Sequence, residues 1–379
     1  MGNATSDIKF ALIGHQDCWE KIERFVQFLS PAKEPLTAAK LAEVYRYIPP
    51  RKLFDIEVNS IIGKQVKGCY IETFISPGEL GLRHWKSNVV KVREAANCAR
   101  LSGSSIAALG GFTSIVLEGK DNSLNKNSST SFTTGNTLTA AFIVKGIEKA
   151  CAQFGKDLAD QKLLVIGATG DIGSACVAYF QGKVHELLLC ARQTTALELL
   201  CNNLIGNGCA AKASIDVNQL LTEADIIIAI ASSSIENFDA SACKPDVIIC
   251  DAGYPKNLVT NFDERHRKRL FCGGMGQVRG GFTFSPSIHQ ELYDFPLQNI
   301  GHGCLLEAVI LALEENYIPY SAGKGNITIE KMEWIYHAAN KHGIILSPFF
   351  NPLHVWIQNN AHEKANQWTG ATVEPDIYC

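Results

Sequence analysis

Three glycines and one cysteine carry most of the chemistry open to this sequence. Gly167, Gly170 and Gly173 recur at three-residue spacing in Lys162-Leu-Leu-Val-Ile-Gly-Ala-Thr-Gly-Asp-Ile-Gly-Ser174. That spacing supplies a tight turn, a close backbone approach and tight packing of a helix on a strand. The free N–H groups of the helix that starts there then face a phosphate. With the intervening Ala168, Thr169, Asp171 and Ile172, the stretch is the expected cradle of a dinucleotide. An ordinary strand–helix turn is the competing reading. The apolar run before the glycines and the helix-like run after them favour the cradle.

The form of the dinucleotide is read one strand further on. An acidic residue about 20 positions downstream usually holds the ribose hydroxyls of NAD. Here the second strand, Glu186-Leu-Leu-Leu-Cys190, ends in Ala191-Arg192-Gln193 with no carboxylate. Arg192 suits a 2′-phosphate, so NADPH is expected over NADH. A solvated loop arginine is the alternative. Two further strands end at Ala231-Ser232-Ser233 and at Asp251-Ala-Gly253, followed by Lys256. Ligands of parallel sheets sit beyond the carboxyl ends of the strands. Ala231, Ser232, Asp251, Gly253 and Lys256 are therefore expected on the cofactor's rim.

Cys304 opens an apolar helix in His302-Gly-Cys-Leu-Leu-Glu307. N–H groups at a helix start stabilise a thiolate and lower its pKa. A dehydrogenase with such a cysteine would suit thioester or aldehyde chemistry, because sulfur can hold an acyl group for hydride attack. Most of the other cysteines sit in apolar runs as small core fillers, and Cys304 could be one of them.

The elements that position these residues alternate strand and helix. Leu163–Ile166, Glu186–Cys190, Ala224–Ile230 and Asp246–Cys250 are unbroken apolar runs of the kind buried on both faces of a parallel sheet. The expected fold is α/β: a Rossmann-type doubly wound parallel sheet, flanked by an N-terminal α/β substrate lobe and a C-terminal helical segment. The expected division is 1–155 for the substrate lobe, to which the resemblance given below adds carrier binding, 156–275 for the NADPH-binding domain and 276–379 for the helical segment with the cysteine. In the first part, residues 8–13 and 64–76 read as strand and 86–101 as helix. A long helix follows Phe132-Thr-Thr-Gly-Asn-Thr137, and 275–287 reads as a glycine-rich loop. Arg83, His84, Lys86, Lys91 and Arg93 form a basic cluster, for which a solvated face is the alternative reading.

Bulk properties narrow the function classes. At 379 residues with net charge −3 and 46% hydrophobic residues, the chain has no basic excess for nucleic acid. It has no apolar run of the roughly 18 residues that span a bilayer, so no integral membrane segment is expected. The 13 cysteines show no CxxC pair and no metal-type spacing, so no metal is expected. Without a secretory signal peptide, the expected location is the cytoplasm, with reduced thiols. The start Met1-Gly2-Asn3-Ala4-Thr5-Ser6 formally matches a myristoylation site, a match short enough to arise by chance.

Longer motifs add a resemblance. Ile13-Gly-His15, Tyr70-Ile-Glu72, Ala108-Leu-Gly-Gly-Phe-Thr-Ser-Ile115, Phe132 to Thr137, Gly167 to Ser174, Gly253-Tyr-Pro-Lys-Asn-Leu258 and Ile327-Thr-Ile-Glu-Lys-Met332 occur in this order. Over roughly residues 8 to 345 the chain resembles the cyanobacterial-type long-chain acyl-[acyl-carrier-protein] reductases. Residues 275–303 match poorly, and the tail beyond about 350 has no counterpart. The resemblance implies reduction of fatty acyl thioesters, on acyl carrier protein or CoA, to fatty aldehydes with NADPH. It places Cys304 on the family's catalytic cysteine, and implies an acyl carrier protein partner and an aldehyde-consuming enzyme downstream. Thr113, Ser114, Thr134 and Asn136, which it covers, are the expected oxyanion donors. Two other classes compete: a shikimate-dehydrogenase-like oxidoreductase acting on a small hydroxy acid, and an NADPH-binding protein without turnover.

Overall fold

The computed structural model describes residues 8–356, apart from 32, 33, 35, 81, 115, 117–122, 232–234, 236, 237, 255, 257, 259–261 and 353. Two six-stranded sheets organise the chain. The N-terminal sheet contains β1 (Ile8–Gly14), β2 (Arg51–Asn59), β3 (Gln65–Glu72), β4 (Ile106–Leu109) and β5 (Ser131–Thr133). The second contains β6 (Lys162–Ile166), β7 (Glu186–Cys190), β8 (Ala211–Ser214), β9 (Ile226–Ala229), β10 (Ile248–Asp251) and β11 (Leu270–Cys272).

The second sheet runs β11-β10-β9-β6-β7-β8, all parallel. Read from β8, the strand order is the 3-2-1-4-5-6 of a dinucleotide-binding fold, with its switch point between β6 and β9. The unbroken apolar strands follow from helices on both faces. Leu163, Leu164 and Val165 are fully buried, as are Ile226, Ile227 and Ile228.

The N-terminal sheet is mixed, and its sixth strand comes from far along the chain. β13 (Phe282–Ser285) pairs antiparallel with β2 at its edge. Residues 275–287 are therefore not a loop. β12 (Met275–Val278) also pairs on both sides, with β14 (Ile300–His302) and β15 (Ile344–Leu346). Their glycines hid the strands: Gly276 and Gly301 leave room for Leu306 and Phe142, a packing need that periodicity cannot show. The strand Arg51–Asn59 and the helices Trp19–Leu29 and Ala38–Tyr47 also went unread in the sequence.

Two helices fill the space between the sheets. Asn136–Gln153 buries residues all round its circumference, and in Gly303–Leu313 every residue but Cys304 is buried. A helix apolar on all sides is stable only inside a core. These two pack on each other, and Gly303–Leu313 also packs on β1 and β4. One continuous apolar cluster runs from Phe10 and Leu12 through Leu138 and Leu306 to Val165. No helix of the described residues is long and apolar enough to cross a membrane.

Candidate active site

The carboxyl ends of both sheets meet at one cleft of about 1090 Å³. Gly14, His15, Gly110 and Gly111 form its N-terminal wall, Gly167 to Arg192 its other wall, and His302 and Cys304 its floor. In the glycine turn, Gly167 and Ala168 donate their N–H groups to the Cys190 carbonyl at 2.8 and 3.1 Å. A Cβ on Gly173 would lie 2.1 Å from the Gly167 oxygen, so only glycine lets the helix Asp171–Phe180 start this close to the strand. Gly167, Thr169, Gly170, Asp171, Ile172 and Gly173 line the cleft, as do Arg192, Ala231 and Gly253.

Two cofactor assignments change, and a third falls outside the described residues. Ala168 is fully buried and is not among the residues that line the cleft. Asp251 is also fully buried, and its carboxylate accepts from the N–H groups of Gly253 (3.2 Å) and Leu258 (2.7 Å). It shapes the turn that presents Gly253 and does not touch the cleft. Ser232 lies outside the described residues.

Cys304 stands in the first turn of Gly303–Leu313, and its sulfur would be 3.2 Å from a Cβ on Gly110. Its backbone rests on Gly135, which has φ +74°, and a Cβ there would fall 2.2 Å from the Cys304 Cα. Gly135 thus both caps the helix Asn136–Gln153 and lets the nucleophile's main chain approach it. Three residues on, the Glu307 carboxylate is fully buried. It accepts from the hydroxyls of Thr133 (2.7 Å) and Ser321 (2.7 and 2.8 Å) and from the N–H of Leu138 (3.1 Å). These bonds lock the cysteine helix to β5 and to the N-terminus of Asn136–Gln153.

Burial dominates the electrostatics. It pushes the Cys304 thiol up to about 11; N–H bonds from Leu305 and Gly111 oppose the rise, and the Glu307 charge adds to it. The helix N-terminus therefore does not produce a resting thiolate, contrary to the expectation from position, because desolvation outweighs its N–H groups. Burial, with Lys256 nearby, holds the His302 imidazole down at about 3, hence neutral. Its ring lies 5.4 Å from that of Tyr254 and 6.0 Å from that of Tyr293. His15 is buried; its Nε2 accepts the Phe112 N–H at 2.9 Å, which leaves Nδ1 to donate to the Gln16 carbonyl at 3.2 Å.

The four expected oxyanion donors divide. The Thr113 hydroxyl donates to the carbonyls of Gly110 (2.8 Å) and Ile13 (3.3 Å), and that of Thr134 to the Ser321 carbonyl (3.2 Å). Both are buried turn locks and neither lines the cleft, because a hydroxyl beside an unpaired carbonyl satisfies it first. Ser114 and Asn136 do line it. Asn136 donates its amide to Asp171 Oδ2 at 2.9 Å, which ties the N-terminal lobe to the glycine motif. The groups the sequence did not disclose are main-chain ones, the Gly111 and Leu305 N–H groups beside the sulfur, together with His302.

The glycine cradle, the helix N-terminus and the cationic Arg192 at the end of β7 fit NADPH. This fold and cleft define an NAD(P)-dependent oxidoreductase. Residues 148–271 match the family described as shikimate / quinate 5-dehydrogenase. The chain is 33% identical over 357 residues to the long-chain acyl-[acyl-carrier-protein] reductase of Synechococcus elongatus, covering 88% of this chain and 97% of that one. It belongs to the long-chain acyl-[acyl-carrier-protein] reductase family, and NADPH is its cofactor. It is also 25% identical over 256 residues to aminotransferase PigE of a Serratia species, covering 65% of this chain and 28% of that one. Among solved structures, L-tryptophan dehydrogenase from Nostoc punctiforme aligns with TM-score 0.37 at 12% identity, over 89% of this chain and 81% of that one.

Proposed function

We propose that this enzyme reduces long-chain acyl thioesters, carried on acyl carrier protein or CoA, to fatty aldehydes through an acyl group held on Cys304. The observation that carries the reading is that Cys304 and the glycine cradle share one cleft, with the Gly111 and Leu305 N–H groups beside the sulfur.

The Cys304 sulfur attacks the thioester carbonyl, and the carrier's sulfur leaves. The proton lost by Cys304 is regained by the carrier thiol, so this exchange is proton-neutral. The Gly111 and Leu305 N–H groups are the donors for the oxyanion that forms on the acyl carbon. NADPH supplies the hydride when bound. The tetrahedral alkoxide left by hydride addition collapses as its C=O bond re-forms and its C–S bond breaks, which releases aldehyde and returns the electron pair to the sulfur, and a proton from solvent restores the thiol.

Carrier docking has a geometric basis. The helix Trp85–Leu101 follows β3, so it begins at the carboxyl edge of the sheet, on the cleft side. Arg83 and Lys86 are exposed there. Lys91 is withdrawn from the cluster, because its ammonium donates to the Phe74 carbonyl. An acidic carrier would be steered by this end of the helix.

Gas chromatography of products from acyl carrier protein thioester plus NADPH tests the proposal: fatty aldehyde is expected. Oxidation of shikimate or quinate with no aldehyde from the thioester would move the function to the small-hydroxy-acid class.

A further inference from the structure

The segment Ser321-Ala-Gly-Lys-Gly-Asn326 comes from the far end of the chain and reaches the cofactor cradle. It is anchored at both ends. Ser321 accepts and donates in the Glu307 network, and its N–H donates to the Thr133 hydroxyl at 3.0 Å. Asn326 donates to the Ala322 carbonyl at 2.9 Å and receives the Lys331 ammonium on its side-chain oxygen at 2.8 Å. In the middle, the Gly325 N–H donates to Asp171 Oδ1 at 3.1 Å. Gly323 and Gly325 have φ +95° and +80° with open space around them, so they serve the loop's conformation and not its packing.

What this construction displays is Lys324. Its side chain is exposed and lines the same cleft as Gly170 to Gly173. Among the described residues it has no hydrogen-bond or ion-pair partner. Asp171 cannot neutralise it cheaply, since both carboxylate oxygens are engaged, one by Gly325 and the other by Asn136. Asp171 also places a negative charge at the helix start where a pyrophosphate must sit, and that charge has to be offset.

Resting on the NADPH reading, we propose that Lys324 is a cofactor-binding residue whose ammonium takes the dinucleotide pyrophosphate, held there by the Asp171–Gly325 bond. Its role differs from that of Arg192, which faces the 2′-phosphate. The pyrophosphate is common to NADPH and NADH, so Lys324 serves both.

The test is equilibrium binding without substrate, read by nicotinamide fluorescence, for Lys324→Gln, Lys324→Arg and Arg192→Ala. Lys324→Gln should weaken NADPH and NADH alike, by roughly tenfold, with a shallower salt dependence. Lys324→Arg should restore most of the affinity. Acylation of Cys304 by acyl-CoA in the absence of cofactor should be unchanged, and because Lys324 is exposed the variant should keep its melting temperature. Unchanged dissociation constants for both dinucleotides would overturn the proposal. So would a loss confined to NADPH, or a rise in KM for the thioester alone, which would assign Lys324 to a phosphate of the acyl donor. None of the binding measurements requires aldehyde formation, so they stand or fall separately from the reductase reading.

Discussion

Glu307 Oε1 accepts the Thr133 hydroxyl at 2.7 Å, and that bond fixes where the nucleophile's helix begins relative to the N-terminal sheet. The partners of this carboxylate are donors: the hydroxyls of Thr133 and Ser321 and the N–H groups of Leu138 and Thr137. Glu307→Gln turns an NH₂ towards one of them and leaves a buried donor unmet. The expected cost is about 1–3 kcal/mol of stability, read from the denaturant midpoint, with slower acylation of Cys304. An unchanged midpoint would mean the network contributes nothing to holding the helix.

Arg192→Ala should weaken NADPH by roughly tenfold or more and leave NADH nearly as it was. Arg192 lines the cleft at the end of β7. Equal losses for both dinucleotides in a binding titration would remove it from the 2′-phosphate site.

Much of this site was legible in the sequence. The glycine spacing and the unbroken strands report local needs, a turn and two-sided burial, and local needs leave a pattern. The place of Cys304 at the start of a helix was legible in the apolar run that follows it, whereas its role was implied by the family resemblance. The chemistry around it was not. The Gly111 and Leu305 N–H groups carry no side-chain signal, and Lys324 is brought to the cradle by its neighbour Gly325, whose N–H bonds Asp171, 154 positions away in the chain. Thr113 and Thr134 misled for the opposite reason. Their hydroxyls look free in the sequence, but each turns to a carbonyl that the fold leaves beside it.

Cys304 should be a sluggish nucleophile at rest. With its thiol pushed up to about 11, the thiolate fraction at pH 7.5 is on the order of one in a thousand or less. Iodoacetamide labelling of the Cys304 peptide, followed by mass spectrometry, should be slower than that of a free thiol and should climb about tenfold per pH unit up to pH 10. A rate that levels off near pH 7 would show a preformed thiolate.

Glu72 gives the stability a pH signature. It is fully buried among Gln16, Tyr70 and the Phe74 N–H, and burial lifts its carboxyl to about 6 from an ordinary 4.5. Between those values the folded state binds more protons than the unfolded one, so this group's contribution is full below about pH 4.5 and is lost as pH rises through 6. The loss is roughly 2 kcal/mol. Glu72→Gln should remove that downward component from a plot of unfolding free energy against pH; an unchanged plot would place the titration elsewhere.

Reversing Arg83 and Lys86 to Glu should raise the KM for acyl carrier protein thioester several-fold and leave that for acyl-CoA unaltered, with the difference shrinking at high salt. Equal effects on the two donors would reduce the cluster to a solvated face.

The acyl-enzyme is tested most directly by stopping the reaction halfway. Incubation with acyl thioester in the absence of NADPH should leave an acyl group on the peptide containing Cys304, detected by mass spectrometry. Adding NADPH should then discharge it as one equivalent of aldehyde. Cys304→Ala should carry no acyl group and make no aldehyde while still binding NADPH. A Cys304→Ala enzyme that forms aldehyde at near the unaltered rate would contradict the account, because hydride would then reach the bound thioester with no covalent step.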